Sequence, residues 1–189
     1  LISDPHRVRL RWVMKRELLW DPCIDIVGRR LRNCFVERHG DDRGEELERV
    51  ATLADSLTVD EGVAIYPEGT RFSVAKRERI LFKLDASGDT AGYQDAASLG
   101  GVLPPRLGGS LALLERNSSA DAVFCAHTGL EATSSFASMF RGQLIDATVR
   151  IALWRVPFAE IPTDREGRVA WLWQHWRRVD AFVEDSVDA

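Results

Sequence analysis

The feature that most limits what this chain can become is a short apolar run, Gly62-Val63-Ala64-Ile65-Tyr66, that stops at Pro67. Such a run reads as a buried strand, and proline ends it because proline has no N–H to give to a central ladder. Around it, strand-like and helix-like segments alternate. Val8 to Met14 is expected as a strand leading into Lys15, and Ile24 to Leu31 as a helix with Ile24, Val27 and Leu31 on its apolar side. Cys34-Phe35-Val36 reads as a short strand ending on Glu37-Arg38. Glu45 to Leu57 has the spacing of an amphipathic helix, with Leu47, Val50, Leu53, Ala54 and Leu57 on one face.

Past Pro67 the pattern continues. A basic helix is expected from Val74 to Leu84, a polar loop from Gly88 to Gly101, and a short strand at Val102-Leu103. Gly108-Gly109 opens a helix through Leu111 and Leu114. Ala122 to Ala126 and Leu144 to Val156 have strand composition, the second alternating at Ile145, Ala147, Val149, Ile151 and Leu153. A last helix is expected from Arg168 to Asp185, patterned by Val169, Leu172, Trp176, Val179 and Val183. Strands alternating with helices imply an α/β class with a mixed, largely parallel sheet flanked by helices. The 189 residues suffice for one sizeable core, so a single domain over 1–189 is expected.

Composition excludes some classes of function. The formal net charge of -4 argues against a general nucleic-acid binder, which needs a basic surplus to neutralise phosphates. Cys23, Cys34 and Cys125 are odd in number and unrelated in spacing, as expected of reduced thiols rather than a disulfide framework or a zinc site. No stretch approaches the roughly 20 apolar residues of a membrane span, and the polar start is not a signal peptide. The chain begins on Leu1 rather than Met, and an N-terminal truncation is expected.

The segment most suggestive of chemistry is Pro67-Glu68-Gly69-Thr70-Arg71. Gly69 allows a tight turn and a close backbone approach to a ligand. Glu68, Thr70 and Arg71 would then stand at the carboxyl end of a strand, where open α/β sheets bind ligands. The planar fork of Arg71 beside backbone N–H groups suits a phosphate. An ordinary strand-to-helix turn with solvated Glu and Arg is the plainer reading of the same residues.

With its apolar strand, this pentapeptide resembles the third conserved block of the glycerolipid acyltransferases, the lysophosphatidic acid acyltransferase (PlsC-like) family. Trp12-Val13-Met14-Lys15-Arg16-Glu17-Leu18-Leu19-Trp20-Asp21-Pro22, followed by Phe35-Val36-Glu37-Arg38, is similar to the second block. Val102-Leu103-Pro104-Pro105-Arg106-Leu107-Gly108-Gly109 is similar to the fourth. Trp171-Leu172 and Asp180 resemble the tail of one branch, while Ser87 to Gly101 resembles the family only thinly. Asp25 stands where the family often has glycine, and Glu37 where it often has Asp.

The resemblance implies transfer of a fatty acyl group from acyl-CoA or acyl carrier protein to a lysophospholipid, 1-acylglycerol-3-phosphate, at the cytoplasmic face of a membrane. It implies that Arg38 and Arg71 bind the acceptor phosphate, that Glu68, Gly69 and Thr70 shape its pocket, and that Lys15 adds charge nearby. Pro104 and Pro105 would lie beside the acyl donor. No cofactor or metal is expected, because the thioester is already activated and the reaction needs a base, positioning and charge stabilisation.

The family's first block, a His with an Asp five residues on, normally precedes the second and supplies the general base. Here His6 meets Arg11 at that spacing, His39 meets Gly44, and His127 meets Ala132. Only His175 with Asp180 fits the spacing, downstream of every block and inside the last helix. Five helical steps separate two side chains by roughly 140°, so the pair is expected to be a decoy. The base is expected to lie ahead of Leu1, which makes the chain itself inactive.

A non-catalytic lipid- or phosphate-binding relative is the alternative function. A hydrolase using Ser73 or Ser110 is a weaker one, since neither serine sits in a Gly-x-Ser-x-Gly elbow. The tryptophan-rich tail, with Trp154, Trp171, Trp173 and Trp176 near Arg177 and Arg178, suits either a membrane interface or a helix packed on the sheet.

Overall fold

The computed structural model describes residues 8–37, 43–130 and 148–187. Five strands are present among them: β1 (Arg9–Lys15), β2 (Cys34–Val36), β3 (Glu61–Ala64), β4 (Ala122–Thr128) and β5 (Arg150–Val156). The helices are α1 (Pro22–Arg30), α2 (Arg43–Ala51), α3 (Val74–Ala86), α4 (Thr90–Ala97), α5 (Leu107–Arg116) and α6 (Arg165–Val187). The fold is mixed α/β with a parallel sheet flanked by helices. Two compact units are formed, one from Leu1–Thr70, Arg106–Ala120 and Ile161–Ala170, the other from Arg71–Pro105, Asp121–Glu160 and Trp171–Ala189.

In the first unit β1 is the central strand, parallel to both neighbours in the order β2-β1-β3. Trp12 stands opposite Ala64 and Val13 opposite Cys34, so all three strands finish at one edge. The helix α1 starts where it does because the Asp21 side chain accepts from the N–H groups of Cys23 and Ile24, with Pro22 at its first position. Cys34, Val50, Leu53, Ala54 and Leu113 form the core, with Val13, Val36, Val63 and Ile65 packed against it. An added Cβ on Gly109 would come within 2.9 Å of Ile65 Cδ1, so a larger residue there would make the Ile65 side chain shift.

Arg11 is the one charged side chain that β1 buries, at 4% exposure. Its guanidinium donates to the carbonyls of Leu53 and Asp55, both at 2.9 Å, and to Glu61 Oε2 at 2.9 Å. A buried arginine is tolerated on such terms because each donor finds an acceptor; Arg11 Nε is the exception.

The second unit is built differently. Its core is Leu99, Val102, Ala126, Trp176 and Val179, with Ala152, Trp154, Trp173, Phe182 and Val183 against it. β4 and β5 form an antiparallel ribbon, Ala122 opposite Val156 and Thr128 opposite Arg150. Leu172, Trp176 and Val179, expected on the apolar side of the last helix, are buried there.

Several expectations need correction. Gly88 to Gly101 is not a loop throughout, because Asp89 caps α4 by accepting from Gly92 N–H at 2.9 Å and the alanines beyond it favour helix. Val102-Leu103 forms no strand; the Val102 N–H donates to Asp180 at 3.1 Å rather than to a ladder. The helix expected to reach Leu57 ends at Ala51 and tightens into a 3-10 turn over Thr52–Ala54. In β5 the alternation holds with the opposite face inward. Ile151 and Leu153 are exposed, while Ala152 and Trp154 join the core and Val156 is buried. Ile145 and Ala147 lie outside the described residues.

Candidate functional site

The chain leaves β3 through a tight turn. Gly69 N–H donates to the Tyr66 carbonyl at 3.0 Å, and Pro67, second in the turn, brings the φ that position needs. Gly69 itself sits at φ +61, in the left-handed region that a side chain disfavours. A Cβ there would also meet the Arg106 side chain, 3.4 Å from Cδ and Nε and 3.6 Å from Cζ. Arg106 N–H donates to the Pro67 carbonyl at 2.8 Å, which fixes the two segments to each other through backbone as well.

Glu68, Gly69 and Thr70 are half-buried, and each is engaged with a partner. Lys15 closes β1 at the sheet edge from which the chain departs β3, and it too is half-buried and partnered. Behind them Trp12 and Tyr66 stack, with ring centroids 6.3 Å apart and planes 20° apart. The first unit thus gathers Lys15, Glu68, Gly69 and Thr70 at the carboxyl edge of its parallel sheet, the edge where this class of sheet takes ligands.

Of the other predicted site residues, three belong to the second unit. Arg71 opens the second unit with an exposed side chain, and its carbonyl accepts from Lys76 Nζ at 2.9 Å. Pro104 and Pro105 are half-buried in the irregular stretch of the second unit that follows Leu103. Arg38 lies outside the described residues, as do His6 and His39. Arg106 belongs to the fourth block, where the sequence alone gives it no role. The signal that could have found it is an arginine directly after a Pro-Pro pair, at the entry to a helix.

His175 and Asp180 each have other partners. His175 Nδ1 accepts from Trp154 Nε1 at 3.1 Å, and its ring stacks on Phe124 at 4.4 Å and meets the Trp171 edge at 4.8 Å. Burial, with Arg178 adding to it, pushes the imidazole pKa below its ordinary value of 6.5. Asp180, 5% exposed, accepts from the N–H groups of Gly100, Gly101 and Val102 at 3.2, 2.8 and 3.1 Å. Both side chains are committed to holding the second unit together. His127 is exposed on β4.

The serines have no base beside them among the described residues. Ser73 Oγ accepts from Lys76 N–H as the cap of α3, and Ser110 Oγ is buried in α5 with no hydrogen-bond partner. In the tail, Trp171 and Trp176 are buried, Trp176 Nε1 donates to the Leu103 carbonyl at 2.9 Å, and Arg178 lies 4.4 Å over the Trp154 ring. These tryptophans pack within the unit. Trp20, by contrast, is 91% exposed.

A cavity of about 640 Å3 opens in the first unit, lined by Arg16, Arg29, Cys34, Phe35, Glu46 and Arg49 among others. None of the predicted site residues among the described ones lines it. Its thiol, Cys34, is pushed above its ordinary pKa chiefly by burial.

A family model for acyltransferases matches residues 1–108, which is more than half of the 189. The match runs through β1, β2, β3, the Tyr66–Gly69 turn and the Pro104-Pro105-Arg106 segment. No curated protein and no solved structure matches the chain. A parallel sheet with a tight turn at its carboxyl edge and the family match lead to one conclusion: the chain belongs to the acyltransferase family, whose general activity is acyl transfer.

Proposed function

We propose that residues 1–189 form a single acyltransferase domain of the lysophosphatidic acid acyltransferase (PlsC-like) branch. It moves a fatty acyl group from acyl-CoA or acyl carrier protein to 1-acylglycerol-3-phosphate in phospholipid biosynthesis. The observation that carries this reading is the Glu68-Gly69-Thr70 turn, with Gly69 at φ +61, at the carboxyl edge of the parallel sheet. In this reading Arg38, Arg71 and Lys15 hold the acceptor phosphate, and Pro104 and Pro105 border the acyl donor. The thioester needs no cofactor. The protein works at the cytoplasmic face of a membrane, where both lipid substrates are reached from water, and nucleic acid is no partner. Among the described residues no helix is long and apolar enough to cross a membrane, so contact in this reading is peripheral or through another segment.

The general base, a His-x-x-x-x-Asp block ahead of Lys15, is supplied in this reading by sequence outside the 189 residues. A second reading, a relative that binds its lipid without acylating it, is favoured by His175 and Asp180 each serving the core of the second unit. The test is an assay of CoA release with 1-acylglycerol-3-phosphate, run beside equilibrium binding of the same lipid. The expected result for this chain is binding without turnover. Turnover by this chain alone would break the assignment of the base, and absent binding would break the acceptor reading. A His-x-x-x-x-Asp block in frame ahead of Leu1 in the native transcript favours the enzyme over the binding relative.

A further inference from the structure

The acceptor reading assigns the phosphate to residues of the second and third blocks. The geometry points to one more. We propose that Arg106 is a phosphate-binding residue of the same site, its guanidinium lying over Gly69 and gripping the phosphomonoester that the Glu68-Gly69-Thr70 turn receives. This inference rests on the acceptor reading and deepens it.

Three observations on the first unit carry it. The Arg106 side chain crosses the turn at Gly69, its Cδ and Nε lying within van der Waals reach, 3.4 Å, of where a Cβ on residue 69 would stand. The Arg106 backbone is pinned to the turn by its N–H donating to the Pro67 carbonyl at 2.8 Å. Residue and turn therefore keep a fixed relation, and little ordering is left for a ligand to impose on the arginine. The charge is also available. Arg106 is exposed, and its guanidinium makes no hydrogen bond or ion pair among the described residues.

The contrast with its neighbours is informative. Arg9, Arg16, Arg29, Arg116 and Arg165 of the same unit are all ion-paired, with Asp60, Glu37, Asp25, Asp55 and Glu115 respectively. Arg30, Arg32 and Arg49 have no such partner either, but they stand in α1, in the loop after it and in α2. Among the described residues Arg106 alone combines an unpaired guanidinium with contact to the turn. A guanidinium fork matches two oxygens of a phosphate, and charge-assisted bonds of that kind are the stronger class.

The experiment is calorimetric titration of the 189-residue chain with hexanoyl-lysophosphatidic acid and, separately, with monohexanoylglycerol, its uncharged counterpart. R106Q, R106K and R71Q are compared with the unaltered chain. R106Q is expected to weaken binding of the phosphate ligand about tenfold or more and to leave monohexanoylglycerol unchanged. R106K is expected to recover part of the loss, since it restores the charge without the fork. Unfolding midpoints should not move, because the side chain is exposed and the backbone bond to Pro67 survives.

If R106Q binds both ligands as the unaltered chain does while R71Q loses the phosphate ligand, Arg106 is excluded and the acceptor reading stands. An equal loss for both ligands in R106Q would make its role structural and overturn the inference. An unaltered chain that does not prefer the phosphate ligand overturns the acceptor reading, and the Arg106 assignment falls with it.

Discussion

The two units put their polar side chains to opposite ends. In the second, His175 and Asp180 have the spacing of a catalytic pair, yet one is closed in by Phe124, Trp154 and Trp171 and the other by three backbone N–H groups. In the first, Gly69 and Arg106 match no such spacing, being far apart in sequence. They nonetheless meet at the edge of the parallel sheet, the exposed Arg106 lying over the half-buried Gly69. Spacing along a chain identifies a site only when the fold leaves the side chains with nothing else to bind. Partners, more than motifs, separate a working polar group from a structural one.

The sharpest way to break this comparison is to disturb Asp180. D180A removes the acceptor for three N–H groups, one of them fully buried, and should cost about 3 kcal/mol. Amide exchange at Gly100, Gly101 and Val102 should accelerate most. If D180A leaves exchange there unchanged, Asp180 is not the structural residue described here and its freedom for chemistry must be reconsidered.

Next in size is Gly69→Ala. Placing a side chain at φ +61 costs about 1–2 kcal/mol, and the new Cβ would stand in van der Waals contact with Arg106. A lower denaturation midpoint with weaker binding of hexanoyl-lysophosphatidic acid is expected. Unimpaired binding would show that the turn and Arg106 are not coupled in function.

The smallest effect is a pH dependence. His175 has a pKa in the folded chain below its ordinary 6.5, so the unfolded chain takes up a proton first as pH falls. Its contribution to stability is fully present above about 6.5 and is lost as pH drops through the folded value. Asp55, Asp60 and Asp121, held below their ordinary 3.8 chiefly by hydrogen bonds from Arg116, Thr58 and the Phe158 N–H respectively, lose theirs in a lower, separate range. Tryptophan fluorescence should therefore report a falling unfolding midpoint between pH 7 and 5.5 (roughly the range in which an unperturbed histidine titrates), and H175F should flatten it. A slope of the same size in H175F would assign it to other groups.

How much of this could be read in advance differs by element. The sheet of the first unit was legible because its strands are short apolar runs with clear stops, at Lys15, after Val36 and at Pro67. The turn was legible too, since proline and glycine constrain the backbone locally. Arg106 was not, because its importance comes from a contact to Gly69 that no local pattern encodes. Helix α4 escaped notice because its glycine and polar residues resemble a loop until the cap at Asp89 is counted. β5 showed its period but not its phase: Ile151 and Leu153 are as apolar as the residues that face inward.

The anchoring of Gly100, Gly101 and Val102 by Asp180 also bears on how the protein is made. A chain emerging N-terminus first exposes the first of these glycines some 80 residues before the carboxylate that holds it. The sheet of the first unit can pair as soon as Ala64 is clear of the ribosome, and α5 can close over it once Arg116 follows. The second unit has no such early route, because its hub of backbone donors waits for a carboxylate some 80 residues further along the chain. During that interval Leu99, Val102 and Leu103 are uncovered apolar surface. A nascent chain arrested before Asp180 therefore leaves Gly100, Gly101 and Val102 without the acceptor that anchors them.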